Sequence, residues 1–346
     1  MIPSLITRDE SSAIKGLLML LIVFGHTGMI TTDFATGERT FFWNWLYTFH
    51  VYVFLIMPFI YGFQKRQSFV KELKHNLIKI GIPYCWFFLF SAVIFVVVGG
   101  GNLNLKGMLY AFVFGNEPLF DQYIGFNFIW FLPALLALLM LKSVWYNSKP
   151  IVKKVIVVVS VILWGLAIAK VISRYTIGMY VPFAISQAFY FILLGLSARW
   201  LTERQWPAKW QMPMVLSLIA AFTALLYYGM NHTGLKVNVY AILCLIMPVL
   251  VFLFLYGIRH LLSKSKLLKF IGLYSLQVYL VHVYVINILQ VALLRFLPQS
   301  IWLGVLIYVL ALVLSIGLAL LMVKLPIINK VLFPKGLKQQ SSNNQS

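Results

Sequence analysis

The stretch that decides the fold is Ile14–Ile30, IKGLLMLLIVFGHTGMI. It is long and apolar enough for a helix crossing a ~30 Å hydrocarbon core, which takes about 20 residues. Yet it carries two ionisable side chains, Lys15 and His26. On a helix their spacing brings them to within about 20° of one face and about 16.5 Å apart along the axis. Lys15 stands near the start of the span and can snorkel to water. His26 lies past the midplane, where an ionisable group is costly and usually faces a bundle interior or a wet cavity.

Working outward, similar runs recur along all 346 residues, of which 62% are hydrophobic and 10% charged. A soluble domain is about half apolar and a quarter charged. The composition therefore gives an all-α polytopic membrane protein. A β-barrel is excluded, because its strands alternate and are about half as long. Ten spans follow, at about residues 12–30, 41–63, 80–98, 126–146, 155–172, 181–200, 212–229, 238–259, 271–295 and 302–324. With the N-terminus in the cytoplasm, 22 of 28 Lys and Arg fall on the inner side. The outer side keeps Arg39, Lys106, Lys170, Arg174, Lys236 and Arg295. That asymmetry places both termini in the cytoplasm and supports the count of ten, since one missed span would invert every later loop. It also explains the net charge of +20 without nucleic acid.

Residues 1–324 form one ten-helix membrane domain, followed by a cytoplasmic tail, 325–346, whose QQSSNNQS end has a disordered composition. The longest outer connection, 99–125, contains MLYAFVFG, too short to span and suited to an interfacial or re-entrant segment. The first span lacks a cleavage site and is expected to be retained. Cys85 and Cys244 both lie in spans without zinc-type spacing, so neither a metal nor a disulfide is expected.

Two further histidines lie in spans, His50 in YTFHVYVF and His282 in YLVHVYVI. One intramembrane histidine can be a simple interhelical hydrogen-bond partner. Three suggest a polar cavity, and neutral imidazole is a common general base near pH 7. No Asp or Glu lies deep in a span, which argues against a carboxylate-based ion-coupled transporter. Asp33, Glu38, Glu117 or Asp121 could still reach over the outer mouth and orient an imidazole. The first inner loop holds the densest basic cluster, with Lys65, Arg66, Lys71, Lys74 and Lys79. It suits topology and attraction to anionic membrane lipids, or phosphate binding.

The chain resembles the membrane acyltransferase-3 family of bacterial integral-membrane O-acyltransferases. The resemblance rests on Lys15 and His26 in IKGLLMLLIVFGH, on His50 in FHVYVFLIMPFIYGF and on Trp130 in WFLPALL. It continues in YVPFAISQAFYFILLG and in YSLQVYLVH, with Ser275, Tyr279 and His282. Two departures are Tyr61-Gly62, where the family commonly has Ser-Gly, and Lys in place of many loop arginines. The resemblance implies acyl transfer, usually of acetyl from cytoplasmic acetyl-CoA to a hydroxyl of a cell-surface polysaccharide or its lipid-linked precursor, in the bacterial inner membrane. It implies His26 as the base, with Lys15 and the Lys65, Arg66, Lys71, Lys74 and Lys79 cluster meeting the CoA phosphates. Oxyanion donors would come from His50, His282, Tyr279 or Ser275, and the acceptor would meet Trp130, Tyr279 and Ser275. No metal is required. Alternatives are a flippase of a glycan precursor, or transfer of succinyl or another acyl group to a different acceptor.

Overall fold

The computed structural model describes residues 4–33, 37–61, 69–204, 208–232 and 237–334. In chain order the helices are α1 (Arg8–His26), α2 (Gly28–Thr31), α3 (Phe41–Tyr47), α4 (His50–Ile60), α5 (Phe69–Asn76), α6 (Ile82–Val97), α7 (Leu105–Phe114), α8 (Glu117–Ile124), α9 (Phe131–Asn147), α10 (Pro150–Ile168), α11 (Arg174–Gly178), α12 (Ile185–Glu203), α13 (Ala208–Asn231), α14 (Val239–Gly257), α15 (Arg259–Leu262), α16 (Lys266–Leu273), α17 (Ser275–Leu293), α18 (Ile301–Lys324) and α19 (Pro326–Leu332). Among the described residues there is no strand; one isolated bridge, Thr32 to Arg39, closes a hairpin.

Nine helical stretches among the described residues are long and apolar enough to cross a membrane. They coincide with nine of the ten expected spans. The tenth is α1, whose Asp9, Glu10 and Lys15 make it more polar than the others. The expected interfacial piece is α7, ten residues long and too short to span. The QQSSNNQS end lies outside the described residues.

The chain forms two compact packing units. The first is Lys65–Leu193 with Val323–Ser346, and the second is Ile2–Gln64 with Leu194–Met322. In the first, α5 continues into α6 through a π-helical turn, Leu77–Gly81, directly before Pro83. Proline has no N–H and its ring crowds the preceding turn, and the wider turn relieves both. Tyr84 lies flat against Phe112 and donates to its carbonyl (2.7 Å), tying α6 to α7. Trp164 of α10 donates to the Tyr190 carbonyl of α12 (2.9 Å).

In the second unit the charged start of α1 is met by partners far along the chain. Thr7 and Glu10 form a capping box. Glu10 is buried, and its Oε1 faces His260 Nδ1 at 2.7 Å and Arg259 Nε at 3.5 Å. Asp9 pairs with Lys269 (2.8 Å). Just beyond, α1 and α16 touch backbone to backbone. A Cβ on Gly16 would overlap the Leu268 carbonyl oxygen, and one on Gly272 would overlap the Ser12 carbonyl oxygen.

The α4–α12 contact uses the same device. A Cβ on Gly195 would overlap the Phe59 ring. Buried Arg199 donates to the Phe59 carbonyl (2.7 Å) at the C-terminal end of α4 and pairs with Glu203 (2.7 Å). Arg199→Met keeps the side-chain bulk but removes that hydrogen bond and the Glu203 pair. It is expected to cost about 2 kcal/mol, read as a lower midpoint of thermal unfolding in detergent; an unchanged midpoint would deny the arginine this role.

Candidate active site

α1 runs unbroken from Arg8 and stops at His26. Thr27 (φ −80°, ψ 86°) leaves helical geometry, and α2 starts afresh at Gly28. The second span also breaks, at Thr48–Phe49, and α4 opens on His50. The sequence reading treats both spans as continuous; the structure places a histidine at each break. Non-helical backbone at membrane depth needs its polar groups satisfied inside the protein. Threonines do this here. Thr27 Oγ1 donates to the Val23 carbonyl (2.9 Å), Thr31 Oγ1 to that of Thr27 (3.2 Å) and Thr48 Oγ1 to that of Trp45 (2.7 Å).

The third histidine comes from α17. The His282 ring lies edge-to-face with His26, centroids 5.0 Å apart. Tyr47 joins the remaining pair, 4.5 Å from the His50 ring and 6.2 Å from that of His26. Gly25 permits this approach. A Cβ there would stand 3.1 Å from the Tyr47 ring and 3.6 Å from His50 Nε2. His50 and His282 are fully buried, whereas His26 keeps part of its surface exposed.

Backbone contacts fix the tautomers of the two buried rings. His50 Nδ1 is 2.7 Å from the Leu46 carbonyl, and His282 Nδ1 is 2.7 Å from the Tyr279 carbonyl. A carbonyl oxygen only accepts, so each Nδ1 carries the proton and each neutral ring presents a lone pair at Nε2. His50 Nε2 is buried with no hydrogen-bond partner among the described residues. In this form neither ring can donate to an oxyanion, which alters the role expected of them from sequence. They are acceptors facing the region of His26.

Three imidazoles, two of them at broken helix ends, suit proton transfer in a secluded place. A protein-family model described as an acyltransferase domain matches residues 9–324. The chain belongs to the acyltransferase-3 family. No curated protein and no solved structure matches it. The match spans all three histidines, so the cluster lies within the acyltransferase domain of a multi-pass membrane protein.

The other candidate residues of this acyltransferase are placed as follows. Lys15 lies on the unbroken part of α1, partly exposed, so its spacing to His26 is the helical one. The stripe between them, Leu18, Met19 and Ile22, is covered by protein. Lys71 and Lys74 on α5 and Lys79 in the π turn are exposed and belong to the first unit, while the histidines belong to the second. Lys65 and Arg66 lie outside the described residues. Tyr279 reaches the cluster through its carbonyl, and its ring is 5.6 Å from that of His282. Ser275 begins α17, two turns and about 10 Å along the axis from His282, so α17 does not carry it to the cluster. Trp130 belongs to the first unit, where the Arg174 guanidinium sits 5.3 Å over its ring.

Glu117 and Asp121 also have partners in the first unit. Burial raises the Glu117 carboxyl above its usual range, and Arg174 and a hydrogen bond with Tyr175 work against that rise. Asp121 accepts from Asn127 (3.2 Å). Asp33 and Glu38 stand exposed on the hairpin that follows α2. Among the described residues no group of three or more His, Cys, Asp or Glu is placed to hold a metal ion. Gly25 and Tyr47 are site residues that the sequence reading passed over; the signal available was a glycine directly beside His26 and an aromatic run leading into His50.

Proposed function

We propose that this acyltransferase moves an acyl group, acetyl from acetyl-CoA in the first instance, onto a hydroxyl of a cell-surface polysaccharide or its lipid-linked precursor, in the bacterial inner membrane. The observation that carries the reading is the partly exposed His26 at the broken end of α1, beside a buried imidazole whose Nε2 can only accept. If one His26 nitrogen donates to His282 Nε2 in the reacting complex, for which the 5.0 Å ring contact leaves the two rings close, its other nitrogen is left as a base. This is the task a carboxylate performs in hydrolase triads. His282 is thus a positioning residue, and His50 supplies a second lone pair.

The chemistry then balances. His26 takes the proton of the acceptor hydroxyl as that oxygen attacks the thioester carbonyl. When the tetrahedral intermediate collapses, the C–S bond breaks, and the CoA thiolate leaves with the proton from His26. Neutral His50 and His282 cannot hold the oxyanion. The N–H of Gly28, in the first turn of α2 two residues after His26, is the better-placed donor.

The donor's phosphates meet Lys15, which stands partly exposed near the start of α1. Its pantetheine arm matches the ~16.5 Å between Lys15 and His26. Because Leu18, Met19 and Ile22 are covered, the packing over that stripe has to part for the arm to lie there. Lys15→Ala is expected to raise the KM for acetyl-CoA about tenfold, one charge-assisted contact, with little change in that for the acceptor. A loss of protein abundance alone would leave Lys15 a topology signal.

The test of the function is free-thiol release from acetyl-CoA, with succinyl-CoA in parallel, by purified protein in lipid nanodiscs. A glycan or lipid-linked precursor extract serves as acceptor. Acceptor-dependent release supports transfer. Transport of the precursor with no thiol release from either donor would replace the reading with a flippase.

A further inference from the structure

The hairpin that follows α2 carries one of the few cations on the outer side. It is held rigidly. Asp33 N–H donates to the Glu38 carbonyl (2.8 Å) and Thr40 N–H to that of Thr31 (3.0 Å). Arg39 Nη1 donates to Thr32 Oγ1 (2.9 Å), and its guanidinium lies 5.0 Å over the Trp43 ring. Trp43 in turn stacks on Tyr47, centroids 3.8 Å apart, and Tyr47 touches both His26 and His50. A second approach leads to the same place. Arg39 Nη1 is 4.0 Å from where a Cβ on Gly28 would stand, two residues after His26. Charge asymmetry selects against Lys and Arg on the outer side of a membrane protein. A retained arginine that is stacked, pinned and exposed beside the histidines therefore calls for a use.

We infer that Arg39 on Trp43 forms an outer binding subsite for an anionic group of the acceptor, a carboxylate or a phosphate on the sugar, and so fixes which hydroxyl is presented to His26. This rests on the acyl-transfer reading for its purpose, though not for the binding itself. The guanidinium is a planar fork that matches an oxyanion bidentately, and its hold on the indole keeps it pre-organised. The Asp33 and Glu38 carboxylates stand exposed on the same hairpin, and an anion that engages both arms of the fork binds more strongly than one held by a single contact.

The experiment is thermal unfolding of the full chain in nanodiscs, titrated with methyl glucuronide, glucose 1-phosphate and methyl glucoside. Ligands that bind the folded state raise the midpoint by mass action. The expected result is a rise with one or both anionic sugars and none with the neutral one. Arg39→Ala is expected to weaken that binding about tenfold, one charge-assisted contact. Arg39→Lys should keep only part of it. Thr32→Val removes the pinning hydrogen bond but leaves the guanidinium, so it should keep the shift, which separates a loosened hairpin from a lost cation. A shift with the glucuronide alone assigns a carboxylate, and with the phosphate alone a phosphate. Equal shifts from the neutral sugar, an unchanged shift in Arg39→Ala, or no shift from either anion in the wild type would each overturn the subsite. If thiol release fails while the anion shift persists, the acyl-transfer reading falls and the subsite stands.

Discussion

His26→Ala is expected to lower acyl transfer by about a hundred- to ten-thousand-fold, the usual worth of a positioned base, while the protein still folds. Both halves follow from position. The side chain stands at the last residue of α1, partly exposed, so its removal opens little core. The helix end is held by the Thr27 and Thr31 hydroxyls, which the substitution leaves in place. Thiol release and the unfolding midpoint should therefore separate, the first collapsing and the second hardly moving. His282→Gln adds a check on how the base is oriented. Its amide keeps an acceptor oxygen but no longer fixes the imidazole geometry, so the fall in kcat should be smaller than for His26→Ala, with the KM values little changed. Near-normal turnover in His26→Ala would make the imidazole a structural group.

The second large effect is on stability. Gly272→Ala is expected to cost about 1–3 kcal/mol or more, the range for overpacking a tight contact, because the added methyl meets backbone and not a side chain that can swing away. It would overlap the Ser12 carbonyl oxygen and stand 2.8 Å from Gly16 N. Gly16→Ala presses on the same α1–α16 contact from the other side, against the Leu268 carbonyl. The double variant should cost less than the two singles together, since one separation of the helices relieves both clashes. Gly165 on α10 has nothing within 4 Å of its Cβ position, and Gly165→Ala serves as the silent control. Unfolding midpoints of the four proteins decide the matter; a silent Gly272→Ala would mean that α1 and α16 do not touch at the backbone.

The spans were legible because a bilayer demands long apolar runs, and nine of them recur in the structure, most within a few residues of their expected ends; the third starts eleven residues early, at Phe69, because the basic α5 runs straight into it. The three histidines were legible as a group because each is an ionisable residue in an apolar run. The breaks at Thr27 and Thr48 were not. Threonine is tolerable in a helix interior, and its hydroxyl bonding four residues back, as Thr27 does to Val23, is equally found in unbroken helices. The proton positions on His50 and His282 were equally hidden, since they depend on which carbonyl each ring reaches. Asp9 and Glu10 were assigned to a helix end, correctly by position. Their partners lie about 250 residues downstream, at a separation that no periodicity reveals.

That separation has a consequence for how the chain is made. The first helix to leave the ribosome carries two carboxylates whose partners are Arg259, His260 and Lys269. At about 5–20 residues per second, those partners follow roughly ten to fifty seconds later. Until then the α1 segment waits with its acidic start unpaired and its Gly16 face uncovered. The last third of the protein thus completes the first, and a nascent chain truncated before residue 259 should leave its leading helix open to quality-control proteases.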